Sequence, residues 1–162
     1  MEKMKKTGFT LLELLLFITV IAILASVGVV AYNGYTGAAK VSVTKTIHAQ
    51  TVKSISAEVA KCELDKTSIV YRNLNCSSLN PNSLALAASK NSNDVNPYDT
   101  SVKAVITKKN WDSLDTLNSK LGYVILHSGS DEESLYITTF LTESEDTDGK
   151  GLLTTSIKIK IK

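Results

Sequence analysis

Lys5-Lys6-Thr7-Gly8-Phe9-Thr10-Leu11-Leu12-Glu13-Leu14 opens the stretch that decides how this chain is organised. From Phe9 to Tyr32 there are 24 residues and a single charge, Glu13. As a helix, at ~1.5 Å per residue, this window is about 36 Å long. A bilayer's hydrocarbon core is about 30 Å thick, so the segment is long enough to cross one. Lys3, Lys5 and Lys6 precede it, and the next cation is Lys40. Positive charge near a span stays on the cytoplasmic side. Residues 1–8 are therefore expected inside and everything after the span outside.

The apolar run admits three readings. As an ordinary signal peptide it would use Val29-Val30-Ala31 as its small-residue cleavage site, but it exceeds the usual ~7–15 apolar residues and holds a carboxylate. As a plain membrane anchor it leaves Glu13 without a purpose, although an acidic side chain at depth is costly and is a functional-site candidate by default. The third reading accounts for both features. Residues Lys5 to Leu14 closely resemble the class III leader of type IV pilins and pseudopilins: a short basic leader, then Gly, then Phe-Thr-Leu-x-Glu opening an apolar helix. The similarity runs to about Tyr35 and then fades. It implies cleavage between Gly8 and Phe9, N-methylation of Phe9, and Glu13 as the fifth residue of the mature chain. There Glu13 is expected to meet the Phe9 amine of a neighbouring subunit and set axial register.

Chemistry agrees with that implication. Gly8 has no side chain and lets a peptidase approach the backbone closely. The amine freed on Phe9 has a reference pKa of ~7.7–8.0 and is largely cationic near neutral pH. A pair shielded from water strongly penalises a missing partner, so Glu13 reads as an assembly key, against the alternative of a tolerated interfacial charge. The chain also departs from the family pattern. Ala22 and Val30 occupy places where many type IV pilins carry Gly or Ala and Pro, and no proline precedes Pro81. Gly28, followed by Gly34 and Gly37, is the weak point of the helix.

The chain of 162 residues suits one soluble domain beyond the span. Placed outside, Cys62 and Cys76 lie in an oxidising space, where an even number of cysteines usually pairs. The disulfide is expected; two buried free thiols are the other reading. Past the span, Val41, His48, Val52, Ile55, Val59 and Cys62 recur at near-helical spacing, which continues the helix with its stripe against a sheet. His48 is expected to be packed and hydrogen-bonded rather than a ligand or a pH switch. Residues 63–101, rich in Asn, Ser, Asp and Lys, read as a variable connecting region with little regular structure, apart from a short helix from Pro81 and Ser83 through Ser89. Strands are predicted at Ser101–Thr107, Tyr123–Ser128, Leu135–Leu141 and Leu152–Ile161, with hairpin turns at Ser128–Glu133 and Glu143–Gly151. Between the first two strands Trp111, Leu114, Leu117 and Leu121 mark a short helix with Asn110 as N-cap and Gly122 as its stop. Ile157 to Lys162 alternates with period two and should bury isoleucines and solvate lysines.

The expected organisation is a leader over 1–8, a transmembrane and assembly helix over 9–32, its amphipathic continuation over 33–62, a variable region over 63–101 and a sheet domain over 102–162. The fold class is α+β: a long N-terminal helix packed on a C-terminal antiparallel β-sheet of about four strands, as in pilins. Glu145-Asp146-Thr147-Asp148-Gly149 weakly resembles a calcium loop, with Asp146 and Asp148 as candidate ligands, but it lacks the terminal glutamate of an EF-hand, and a solvated hairpin is the favoured reading. No cofactor is expected, and no Gly-x-Ser-x-Gly, His-Glu-x-x-His or phosphate-loop motif argues for an enzyme. Removing residues 1–8 takes three lysines from 18 basic residues and one glutamate from 16 acidic ones, which leaves the mature side chains formally balanced. Lys108-Lys109 with Trp111 is then the nearest approach to a basic-aromatic patch, so nucleic acid is not indicated.

The resemblance implies a structural subunit, a major pilin rather than a minor one, polymerised with identical copies after processing by a prepilin peptidase and methyltransferase and handed to pilus assembly machinery. The precursor would sit in the inner membrane and the assembled form in an extracellular pilus. A pseudopilin of type II secretion, and a membrane-tethered adhesin or binding module, are the alternatives.

Overall fold

The computed structural model describes residues 8–107, 121–129, 133–141 and 151–159. Helix α1 spans Leu11–Leu64. The chain divides into two units, Met1–Ala38 and Ala39–Lys162.

In the first unit the helix is exposed on all sides from Leu11 to Tyr35. Leu12, Phe17, Leu24 and Val30 are each more than 60% exposed, the reverse of what a water-soluble fold does with such side chains. A helix apolar all round belongs in a buried or lipid environment. No described residue covers this one, and its length and composition are sufficient to cross a membrane.

In the second unit the same helix becomes one-sided. Thr44, Ile47, His48, Thr51, Ile55, Val59 and Cys62 are buried and their opposite face is solvated. The predicted stripe is confirmed at His48, Ile55, Val59 and Cys62, whereas Val41 and Val52 are only half-buried. Thr44 and Thr51 occupy core positions that an apolar pattern passes over. Thr44 is acceptable there because its hydroxyl donates to the Lys40 carbonyl at 2.8 Å, which satisfies the polar group within the helix.

The stretch after α1 is more ordered than its composition suggests. Strands β1 (Ile69–Val70) and β2 (Leu74–Asn75) form a small antiparallel hairpin. A 3-10 turn over Cys76–Ser78 follows, and then helix α2 over Pro81–Asn91. The helix begins where a capping box forms: the Asn80 side chain accepts from the Ser83 amide at 2.8 Å, and the Ser83 hydroxyl accepts from the Asn80 amide at 3.1 Å. Pro81 at the first turn completes the signal. Leu84, Ala85 and Ala88 are the face of α2 turned into the core.

The sheet has four strands in the order β3 (Val105–Thr107), β4 (Val124–Ser128), β5 (Ser134–Phe140) and β6 (Leu152–Lys158). It is mixed, not antiparallel: β4, β5 and β6 alternate in direction, but β3 runs parallel to β4. Sixteen residues separate Thr107 from Val124, enough for the crossover that a parallel neighbour requires, whereas the β4–β5 and β5–β6 links are hairpin connections. The first predicted strand shrinks from Ser101–Thr107 to Val105–Thr107, preceded by a single bridge between Val95 and Lys103. At the other edge Ile159 is buried, Ile157 packs against the core and Lys158 is exposed, as the alternation predicts. The predicted Asn110–Leu121 helix, apart from Leu121 itself, lies outside the described residues. Gly122 adopts φ +78°, the left-handed conformation expected of a stop residue. The buried faces of α1, α2 and the sheet share one core, with Ile55, Leu84, Leu126, Leu135 and Ile137 fully enclosed.

Candidate functional site

The N-terminal end of α1 carries the residues that the sequence singles out. Phe9 is 79% exposed. Thr10 and Glu13 form a reciprocal box: the Glu13 amide donates to Thr10 Oγ1 at 3.2 Å, while the Thr10 amide and hydroxyl both donate to Glu13 Oε2 at 3.0 Å. The first helical hydrogen bond, from the Leu14 amide to the Thr10 carbonyl at 3.2 Å, closes behind it. The helix thus begins in the capping box Thr-x-x-Glu, and it satisfies amides that a helix start otherwise leaves open. Thr10 is a partner of Glu13 that the leader comparison did not single out, although the three-residue spacing was visible. Gly8 precedes the helix, and a Cβ built on it meets nothing within 4 Å. Nothing among the described residues therefore requires glycine at that position.

Residues 3–29 match the model of the prokaryotic N-terminal methylation motif. The chain carries a type IV pilin-like class III leader. A leader of this kind implies processing by a prepilin peptidase and handling by pilus-type assembly machinery, and it supports a prepilin of the pilin or pseudopilin type. The family is one of structural subunits. The match ends within the apolar helix, and the second unit lies beyond it. No curated protein matches the chain, and no solved structure does.

In the second unit the two cysteines are joined, Cys62 at the end of α1 to Cys76 at the start of the 3-10 turn, with Cα atoms 5.1 Å apart. Both are buried, and the bridge closes the segment that contains the β1–β2 hairpin. At the tip of that hairpin Tyr71 and Arg72 take φ values of 46° and 72°. These are non-glycine residues in the left-handed region, with no glycine in the turn to mark it in the sequence.

His48 is built into the core as expected. Its Nδ1 lies 2.9 Å from Thr139 Oγ1 on β5, and its Nε2 lies 3.0 Å from Thr155 Oγ1 on β6. Burial pushes its pKa below the usual histidine value. His127 stacks on Tyr136 and lies 3.4 Å from Thr138 Oγ1. Thr138 and Thr139 are successive residues of one strand and face opposite sides, so the two histidines do not share a site. Among the described residues no three His, Cys, Asp or Glu side chains gather as metal ligands. The calcium candidates Asp146 and Asp148, and the Lys108-Lys109-Trp111 patch, lie outside the described residues.

Proposed function

We propose that this chain is the major structural subunit of a type IV pilus. It is cut between Gly8 and Phe9, methylated on the new amine, held in the membrane by its apolar helix with the second unit outside, and assembled with identical copies into a filament. The observation that carries the reading is the Gly8-Phe9-Thr10-Leu11-Leu12-Glu13 leader placed on an apolar helix that no described residue covers. Such a face is unfavourable in water and is accommodated first by lipid and then by the helices of other copies. The disulfide and the ordered region after α1 support a pilus subunit over a secretion pseudopilin.

Glu13 is the specificity element in this reading. Within one subunit its carboxylate is held by Thr10, so it begins from a satisfied state rather than as a bare charge in lipid. In the filament the cationic Phe9 amine of an adjacent copy is the stronger partner, because attraction between full charges rises as water is excluded. A simple tether has no use for such an exchange.

The test is replacement of Glu13 by leucine in cells that make filaments. Glu13→Leu is expected to insert normally, to be cut at Gly8 and to give few or no filaments by electron microscopy. Glu13→Asp should assemble in part, and Glu13→Gln separates charge from hydrogen bonding. Mass spectrometry of sheared filaments should show a chain that starts at a monomethylated Phe9. Filaments of wild-type yield and length from the leucine variant would defeat the assembly role, and a mature terminus at Tyr32 would defeat the leader reading altogether.

A further inference from the structure

Two cavities in the second unit share a wall made by Tyr71 and Asn91. The smaller holds about 240 Å³. Its polar lining comes from Gln50, Thr51 and Ser54 on α1 and from Asn93 and Asp94 after α2. The Gln50, Thr51 and Asn93 side chains make no hydrogen bond to any described residue. Pockets for drug-sized ligands run about 300–1,000 Å³, so this one suits a single ring. Amides offer donors and acceptors together, and the Asp94 carboxylate, whose Oδ2 accepts from Ser92 Oγ at 2.9 Å, keeps acceptor capacity for a ligand hydroxyl. That combination fits the adjacent hydroxyls of a sugar. An apolar guest would leave these groups unpaired, and Asp94, the sole charged group in the lining, repels a small anion.

The larger cavity, about 580 Å³, carries the opposite charge. Arg72 and Lys90 line it, and no carboxylate does. Neither cation has a partner among the described residues. Arg72 is the chain's single arginine, and a guanidinium is the side chain best matched to a carboxylate. Tyr71 and Arg72 hold their places with left-handed backbone, and the Tyr71 hydroxyl is tied to Ser54 Oγ at 3.2 Å. Backbone strain of this kind persists where the surroundings over-determine it, and it clusters at binding sites.

We infer that the paired cavities bind a carboxylated saccharide, with one sugar ring in the smaller cavity and the carboxylate of the adjoining unit on Arg72 and Lys90 in the larger. An acidic peptide would engage the two cations but leave Gln50, Thr51 and Asn93 idle, so the saccharide accounts for more of the surface. The inference does not depend on filament assembly.

The experiment titrates the full chain, held in detergent micelles, with a panel of tetrasaccharides containing uronic or sialic acid and follows backbone amide shifts. Neutral chitotetraose and hexaglutamate serve as comparisons. At least one carboxylated tetrasaccharide is expected to bind saturably with a Kd of about 1 mM or tighter, and the neutral one at least about tenfold more weakly. Arg72→Gly is the decisive variant, because glycine accepts φ 72° and the hairpin is kept. It should weaken binding about tenfold or more without lowering the melting temperature, and Gln50→Ala, at an exposed helix position, should do the same. Absence of saturable binding across the panel would overturn the inference. So would equal binding of the neutral sugar, equal binding of hexaglutamate, or wild-type affinity in Arg72→Gly.

Discussion

Replacing both cysteines by alanine, Cys62→Ala with Cys76→Ala, tests how the strained hairpin is held. The bridge spans a sequence separation of 14. Closing a loop of that length removes unfolded-state freedom worth about 3 kcal/mol in the chain-entropy account. The hairpin it encloses has two paired residues in each strand, and two-stranded hairpins are marginal alone. Its turn places Tyr71 and Arg72 in left-handed backbone, at about 1–2 kcal/mol each. The two left-handed residues therefore cost about 2–4 kcal/mol together, close to what the disulfide contributes. Without the bridge the hairpin should open separately from the core. Alanine is small and apolar at both buried positions, so no polar group is left unpaired there. Native-state hydrogen exchange on the full chain in micelles reads the outcome. Protection across residues 69–76, including the position-76 amide that donates to the Ser68 carbonyl, should fall by about a hundredfold or more. Adding Arg72→Gly to the cysteine-free chain should return about 1 kcal/mol there, the relief of one left-handed residue less the entropy of glycine. Exchange at 69–76 within threefold of the wild-type rate, or no recovery with Arg72→Gly, would refute the argument that the bridge offsets turn strain.

Three further outcomes follow from particular contacts. Gly122→Ala should lower stability by about 3 kcal/mol, seen as a melting temperature roughly 10 °C lower, because alanine disfavours φ +78° and its Cβ would collide with the buried Asn96 amide, whose Nδ2 donates to the Leu121 carbonyl. His48 has a folded-state pKa below the ordinary value of 6.5, so the unfolded chain takes up the proton first. Its contribution should be whole above that value and lost as pH falls through the lower folded value, and a urea midpoint measured against pH should show this loss in the wild type but not in His48→Gln. Gly8→Val should leave the stability of the second unit unchanged, since a Cβ at Gly8 meets nothing among the described residues, yet block cleavage, with intact precursor mass persisting after incubation with a prepilin peptidase.

The membrane-capable helix and the leader were legible because the signal is contiguous. Charge asymmetry, an apolar run and a short motif lie within one stretch from Lys3 to Tyr32 and can be read without knowing any remote contact. The same holds for the period-two alternation at Ile157 to Ile159 and for Pro81 near the start of α2. The Thr10 and Glu13 pairing is likewise a local signal, a capping box written in the three-residue spacing.

Only the tertiary structure decided the rest. Strand direction depends on where a connection lands, and Val105 and Val124 pair in a parallel sheet across residues whose composition favours neither direction. Thr44 and Thr51 are buried on the same face of α1 as Ile47, His48 and Ile55, and an apolar count cannot see that. His48 meets Thr139 and Thr155 across separations of 91 and 107 residues. Tyr71 and Arg72 adopt backbone that their own propensities disfavour, at the tip of a hairpin inside the loop that the Cys62–Cys76 disulfide closes. Sequence by itself determined the parts that act one helix or one motif at a time. Packing determined the parts in which a residue's neighbour is remote in the chain, since loop closure, not local preference, chooses that neighbour.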